Sequence, residues 1–156
     1  MKKYTFLAHV LNKPGVLNKV AMIVRRKLFN IDTLTVSPTR NTHISAMTMV
    51  FKADSAEHAD QVLKQLGKVV EVLNIEQLEP ANSIQEDLML LKMLPKTDTK
   101  LKQFFANLFY RVVHKSNAFI IVEVCATKEE LDLLLTTIPA EEILEISRTG
   151  VTSLKL

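Results

Sequence analysis

The residues able to carry chemistry are few, and their spacing argues against catalysis. The four histidines, His9, His43, His58 and His114, are scattered, with no His-x-x-x-His pair on a helix and no acidic neighbour at metal-ligand spacing. His9 and His43 could approach on adjacent strands, but strand histidines are more often solvated or hydrogen-bonded than ligating, so no metal site is expected. The single cysteine, Cys125, has no partner for a disulfide or a two-thiolate site. Its neighbours Val122, Val124 and Ala126 predict an apolar setting that raises the thiol pKa and leaves it inert. Glu129, Glu130 and Asp132 fall in the first turn of a helix, where the dipole favours carboxylates whatever the function. Three glycines, at 15, 67 and 150, cannot build a dinucleotide or Walker loop, and no G-x-S-x-G is present. No catalytic residue is expected.

Binding chemistry is better served. Asn12-Lys13-Pro14-Gly15-Val16-Leu17 reads as a turn from a strand into a helix, with Asn12 as candidate cap and Pro14 pre-set for the first helical turn. A glycine beside the first helical residues leaves backbone N–H groups pointing outward at the positive end of the dipole, which suits a carboxylate. Asn30 is a second, distant candidate. By spacing alone, these residues are more often ordinary loop chemistry than a site.

The elements that must position them follow from periodicity. Residues 4–11 alternate as a strand, with Phe6, Ala8 and Val10 on one face. Leu17, Val20, Ala21, Val24 and Leu28 form a helical stripe ending at Phe29-Asn30. The β-branched runs 31–38 and 44–51 predict a hairpin about Thr39-Arg40-Asn41. Asp54-Ser55-Ala56-Glu57 opens a helix with Ala59, Val62, Leu63 and Leu66 as its stripe, Gly67 is placed to stop it, and 69–78 alternates again. After the loop 79–83 the order repeats, with a strand at 86–93 and a helix carrying Leu101, Phe104, Phe105 and Leu108. A hairpin at 110–113 and 119–125, a helix opened by the capping box Thr127–Glu130, and a strand at 143–148 complete it. The expected fold is α+β, two tandem ferredoxin-like βαββαβ units, residues 1–78 and 84–156, with antiparallel sheets and helices on one face. The strand at Ile31–Val36 should lie at a sheet edge, protected only by Asp32 and Pro38, so an edge-to-edge dimer is predicted.

Composition agrees with a folded chain and excludes several partners. Of 156 residues, 47% are hydrophobic and 24% charged, which rules out a disordered or low-complexity class. The net charge of +3 is interspersed, and the longest basic cluster, Arg25-Arg26-Lys27, sits at a helix end where cations complement the dipole. Phe104, Phe105 and Phe109 read as core, while the central strands carry Leu7, His9, Met47 and Met49 where a ferredoxin-like RNA module would place stacking aromatics. Neither nucleic acid nor membrane is an expected partner, since no run approaches the roughly 18 apolar residues of a span. The opening Met1-Lys2-Lys3 precedes no signal-peptide core, and the expected location is cytoplasmic.

Asn12-x-Pro14-Gly15-Val16-Leu17 followed by Phe29-Asn30-Ile31-x-x-Leu34-x-Val36 resembles the ACT domains of the small, regulatory subunits of acetohydroxyacid synthase (acetolactate synthase). Met47-Thr48, Lys64-Gln65-Leu66-x-Lys68-x-Val70-x-Val72-Leu73, Glu86-x-Leu88-Met89-Leu90-x-Lys92 and Glu145-Ile146-x-Arg148-Thr149-Gly150 extend the resemblance over nearly the whole chain in order. It implies an N-terminal ACT domain for effector binding and dimerisation, followed by an ACT-like C-terminal domain. It further implies a non-catalytic subunit that binds the large catalytic subunit, activates it, and confers feedback inhibition by valine or a related branched-chain amino acid. The cofactors, thiamine diphosphate, Mg and FAD, would belong to the catalytic subunit and none to this chain. By the matching motif, Asn12, Gly15, Val16 and Leu17 would hold the effector in one protomer of a homodimer, and Asn30 and Ile31 would close the pocket from the other. A stand-alone ACT-type sensor controlling another enzyme or a transcription factor is the alternative.

Four features depart from the family. Leu28 stands where Gly is usual before Asn30. A left-handed cap there costs a leucine on the order of 1 kcal/mol or more, which would favour a differently built turn. Gln85 replaces an Arg, Tyr110 replaces an Asp, and the chain stops at Leu156 without the customary tail; these bear on contact with the catalytic subunit.

Overall fold

The computed structural model describes residues 2–156, which form two compact units. The first runs to Ile84 and takes in Val151–Leu156; the second is Gln85–Gly150. The chain order opens with β1 (Lys2–Leu11), α1 (Val16–Arg26), β2 (Ile31–Pro38), β3 (Ile44–Ala53), α2 (Ala56–Leu66) and β4 (Val72–Leu78). It continues with β5 (Ser83–Met93), α3 (Asp98–Phe104), β6 (Phe109–Lys115), β7 (Ile120–Ala126), α4 (Lys128–Thr137) and β8 (Ile143–Arg148). The sheets run β2-β3-β1-β4 and β6-β7-β5-β8, antiparallel at every pairing. These are the two βαββαβ units expected from periodicity, with β2 at an edge.

A further short strand, β9 (Thr152–Lys155), lies outside the sequence expectation. It pairs with β5, and by compactness its segment groups with the first unit. Ser153 Oγ and Thr48 Oγ1 share a hydrogen bond of 2.9 Å, Lys155 pairs with Glu76, and the Leu156 N–H donates to the Asn82 carbonyl at 2.9 Å.

Strand alternation and helical period together build the first core. Phe6, Ala8 and Val10 of β1 and Met47, Met49 and Phe51 of β3 lie under Val16, Val20 and Val24 of α1 and Ala59, Val62 and Leu66 of α2. The Phe6 and Phe51 rings meet edge to face at 4.9 Å. The buried stripe of α1 is rotated from the expected one. Val16 is buried, whereas Leu17 is 46% and Leu28 93% exposed, because the helix begins at Val16 and ends before Leu28. Ser55 caps α2 by accepting from the His58 N–H at 3.2 Å.

The second core follows the same logic. Met89, Leu91 and Met93 of β5 and Val122 and Val124 of β7 pack with Leu101, Phe105, Leu131, Leu134 and Ile138. The helix α3 is only 7 residues long, so Phe109, read as part of its stripe, instead opens β6 and is 92% exposed. The capping box at α4 forms as expected. Thr127 Oγ1 accepts from the Glu130 N–H, and the Glu130 carboxylate accepts from Thr127 Oγ1 at 2.7 Å and its N–H at 2.9 Å, which holds that carboxyl below the usual carboxylate range.

Candidate functional site

The turn between β1 and α1 is fixed by the neighbouring strands. The Asn12 N–H donates to the His43 carbonyl at 2.8 Å and its Nδ2 donates to the Thr42 carbonyl at 2.9 Å, tying the end of β1 to the β2–β3 turn. Asn12 is therefore a brace and not the helix cap, and Pro14 lies outside the helix. The cap is Gly15, whose φ of 84° is a left-handed conformation that favours glycine. A glycine has no side chain to accept from the helix, and α1 carries no acidic residue in its first turn. The Leu17 and Asn18 N–H groups consequently have no acceptor among the described residues, at the positive end of the dipole. Nothing lies within 4 Å of where a Gly15 side chain would begin, so the approach is open. Beside it Lys19 pairs with Glu71, and that hydrogen bond holds the Glu71 carboxyl below the usual carboxylate range.

Asn30 and Ile31 sit at the other end of α1. Eleven helical residues separate the two groups by about 16 Å, so one protomer does not bring them together. Their turn keeps the left-handed cap despite the leucine. Leu28 has φ 59°, its N–H donates to the Arg25 carbonyl at 2.9 Å, and the Phe29 N–H donates to the Val24 carbonyl at 3.4 Å. The cost of that backbone is offset by core contacts of Phe29, whose ring lies 5.2 Å from that of Phe51. Replacing Leu28 with Gly is expected to raise stability by about 0.5–1 kcal/mol. It relieves a left-handed strain of roughly 1–2 kcal/mol, gives back part of that as chain entropy, and forfeits no buried surface. Chemical denaturation checks it; a destabilised Leu28→Gly protein would overturn the strain account.

The remaining candidates disperse or change setting. His9 lies opposite Ala46 on β3 while His43 is in the β2–β3 turn, and among the described residues no group of three metal-ligating side chains could hold an ion. Cys125 is exposed and not set in an apolar interior. Partial burial, and next a hydrogen bond at 3.3 Å to the Glu86 carboxylate, push its thiol pKa up. No helix among the described residues is long and apolar enough to cross a membrane.

One constellation went unseen in the sequence. Asp87, 1% exposed, accepts from Arg148 Nε at 2.8 Å, from Thr149 Oγ1 at 3.2 Å and from the Gly150 N–H at 3.1 Å, and Arg148 Nη2 lies 2.6 Å from it as an ion pair. Arg148 Nη1 also reaches Asp132 on α4 at 2.6 Å. Burial disfavours the Arg148 charge, but its hydrogen bonds to Asp132 and Asp87 more than compensate and raise its pKa. The available signal was an aspartate at a core-facing position of β5, in phase with Met89 and Leu91.

Similarity to known proteins is consistent along the chain. Residues 6–74 match the family described as AHAS small subunit-like ACT domain, and residues 86–156 match the family described as small subunit of acetolactate synthase. The probable acetolactate synthase small subunit of Methanothermobacter thermautotrophicus is 32% identical over 150 residues, covering 94% of this chain and 89% of that one. The acetolactate synthase small subunit of Mycolicibacterium smegmatis is 34% identical over 152 residues, covering 96% and 89%. The crystal structure of the acetolactate synthase small subunit from Thermotoga maritima superposes with a TM-score of 0.88 at 24% identity, over 100% of this chain and 98% of that one, and so shares the fold. With its two βαββαβ units in the matching order, the chain belongs to the family of acetolactate synthase small subunits, the regulatory partners of that enzyme.

Proposed function

We propose that this chain binds the catalytic subunit of acetolactate synthase and makes it responsive to a branched-chain amino acid held by the β1–α1 turn. The observation that carries the reading is the glycine-capped start of α1, with the Leu17 and Asn18 N–H groups unpartnered and open to solvent. They suit the effector's α-carboxylate. Asn12 spends its Nδ2 on Thr42, which leaves Oδ1 to accept from the effector's ammonium group. Leu17, half exposed, offers an apolar surface for a short branched side chain.

Ile31 and Asn30 complete this site only from a second copy. Within one protomer, β1 and β2 run in the same direction, each antiparallel to β3, so Asn12 and Asn30 lie at opposite ends of the sheet. Pairing two β2 edges antiparallel about a two-fold axis turns one end toward the other, bringing Asn30 and Ile31 of one copy beside the β1–α1 turn of its partner. Occupancy then couples to protomer geometry, and a coupling of about 1–3 kcal/mol suffices for regulation.

Thermal unfolding with and without L-valine, L-leucine and L-isoleucine, with D-valine and L-lysine as controls, tests the sensor. At 100 times its dissociation constant an effector adds about 2.7 kcal/mol, and a stereospecific rise in Tm is expected. Capture of the catalytic subunit by this chain, with a rise in its activity, tests the partnership. No capture would sink the regulatory reading, and equal shifts for L- and D-valine would sink the site.

A further inference from the structure

Two polar groups on the edge strand β2 are poorly answered within the protomer. The Thr33 hydroxyl is buried and makes no hydrogen bond among the described residues. Asp32, its side chain only 17% exposed, lines a cleft of about 330 Å³ beneath the α1–β2 turn with Lys27, Lys52 and Asp54, and its ion pair with Lys52 is loose at 3.8 Å. A hydroxyl and a carboxylate left so on an edge disfavour any added strand that cannot answer them. Past the other end of β2, Arg40 is exposed in the β2–β3 turn and has no ion pair among the described residues.

Symmetry limits how two such edges can meet. Opposed residues of an antiparallel pair point to one face, and a two-fold axis preserves that face, so the axis passes through a residue of β2. Leu34 and Val36 lie opposite Met49 and Met47 on the helix-covered face, while Thr33 and Thr35 lie opposite Val50 and Thr48 on the other. An axis at Thr35 sets Leu34 against the partner's Val36, which is 41% exposed in the protomer, and Thr33 against the partner's Ser37. It also opposes the bulge at Asp32 to the partner's Pro38, so the ladder over 33–37 holds neither a bulge nor a residue without an N–H. An axis at Leu34 would put Asp32 against Val36, and one at Val36 would bring Pro38 into the ladder.

We propose, on the basis of the edge-to-edge dimer above, that two copies pair with the axis at Thr35 and are locked at both ends by an ion pair between Asp32 of one and Arg40 of the other. Arg40 lies two residues beyond the Pro38 that opposes Asp32, and such diagonal neighbours are about 7–8 Å apart, within reach of an arginine. The arginine displaces only the loose contact with Lys52, whose side chain is 49% exposed and stays hydrated. Asp32 thus excludes strands that bring no cation, and a second copy brings one. The Thr33 hydroxyl gains the partner's Ser37. The same register brings the β2–β3 turn, which Asn12 braces, level with the partner's Asn30.

Sedimentation equilibrium of the full chain gives the dimer dissociation constant. Arg40→Glu and Asp32→Arg should each weaken the dimer roughly tenfold or more, because both ends then oppose like charges. An equimolar mixture of the two variants should associate within about threefold of the parent, since each Arg40→Glu chain meets an Asp32→Arg chain and both ends regain opposite charges. Lys52→Ala, which removes the protomer's own pair, should leave the dimer unchanged. Register is read separately in a Cys125→Ser background. Thr35→Cys should give a disulfide-linked dimer under mild oxidation, whereas Leu34→Cys and Val36→Cys should not. Preferential linking through Leu34→Cys or Val36→Cys overturns the register. Single variants that dimerise like the parent, or a mixture no tighter than either variant alone, overturn the lock and leave the dimer standing. A parent chain that stays monomeric overturns the edge-to-edge dimer and the lock with it.

Discussion

Asp87→Ala is expected to destabilise the second unit by about 3–5 kcal/mol, the usual cost of removing one partner from a buried charge pair. The carboxylate is 1% exposed and satisfies three donors, on Arg148, Thr149 and Gly150. Its loss leaves the Gly150 N–H without its acceptor and Arg148, only 20% exposed, with Asp132 alone. A fall in Tm of roughly 10 °C follows for a chain of this size. Asp87→Asn keeps an acceptor for Thr149 and Gly150 and should cost less. A double substitution, Asp87→Leu with Arg148→Met, should cost less than Asp87→Ala, because no buried charge is left unpaired and Asp132, half exposed, keeps Lys128 at 3.5 Å. An Asp87→Ala protein within 1 kcal/mol of the parent would show that the network is solvated.

Gly15→Asp is expected to abolish the effector's thermal shift while leaving the fold in place. The new carboxylate would occupy the Leu17 and Asn18 N–H groups that the reading assigns to the ligand, and would repel the ligand's own carboxylate. Two charge-assisted hydrogen bonds lost amount to about 3 kcal/mol or more, over a hundredfold in affinity. The backbone conformation imposes its own cost, since φ is 84° at this position. Gly15→Ala carries that strain without the charge and is the matching control. Its binding should persist when its stability has fallen by about 1–2 kcal/mol. Equal L-valine shifts in Gly15→Asp and in Gly15→Ala would remove the helix terminus from the site. Asn12→Ala should weaken binding roughly tenfold and also loosen the β2–β3 turn, because its amide donates to the Thr42 carbonyl.

Much of this protein is written in local pattern. Alternation placed Phe6, Ala8 and Val10 on the core face, the Thr127–Glu130 box started α4, and the repeat of one element order announced two units, because such features depend on spacing within a few residues. The turn at Gly15 was legible for the same reason, since a glycine before a helical stripe admits the left-handed backbone that this cap uses. Phase was less secure. The stripe of α1 centres on Val16, Val20 and Val24, because where a helix starts is decided by the cap and by what the sheet beneath accepts.

Other properties belong to tertiary structure alone. Leu28 keeps a left-handed backbone that its own side chain disfavours, because Phe29 must reach the core beside Phe51. Asp87 is separated from Arg148 by 61 residues, and no spacing rule spans that distance. Lys27, before the β2–β3 hairpin, and Asp54, after it, come to one cleft at its open end, and Val151–Leu156 returns to the first unit. Sequence by itself determined the elements, their order and the family, since these rest on short-range steric and hydrophobic preference. Only the folded chain decided which charges are buried together and which are left facing a cleft, since those depend on contacts that the backbone creates between distant residues.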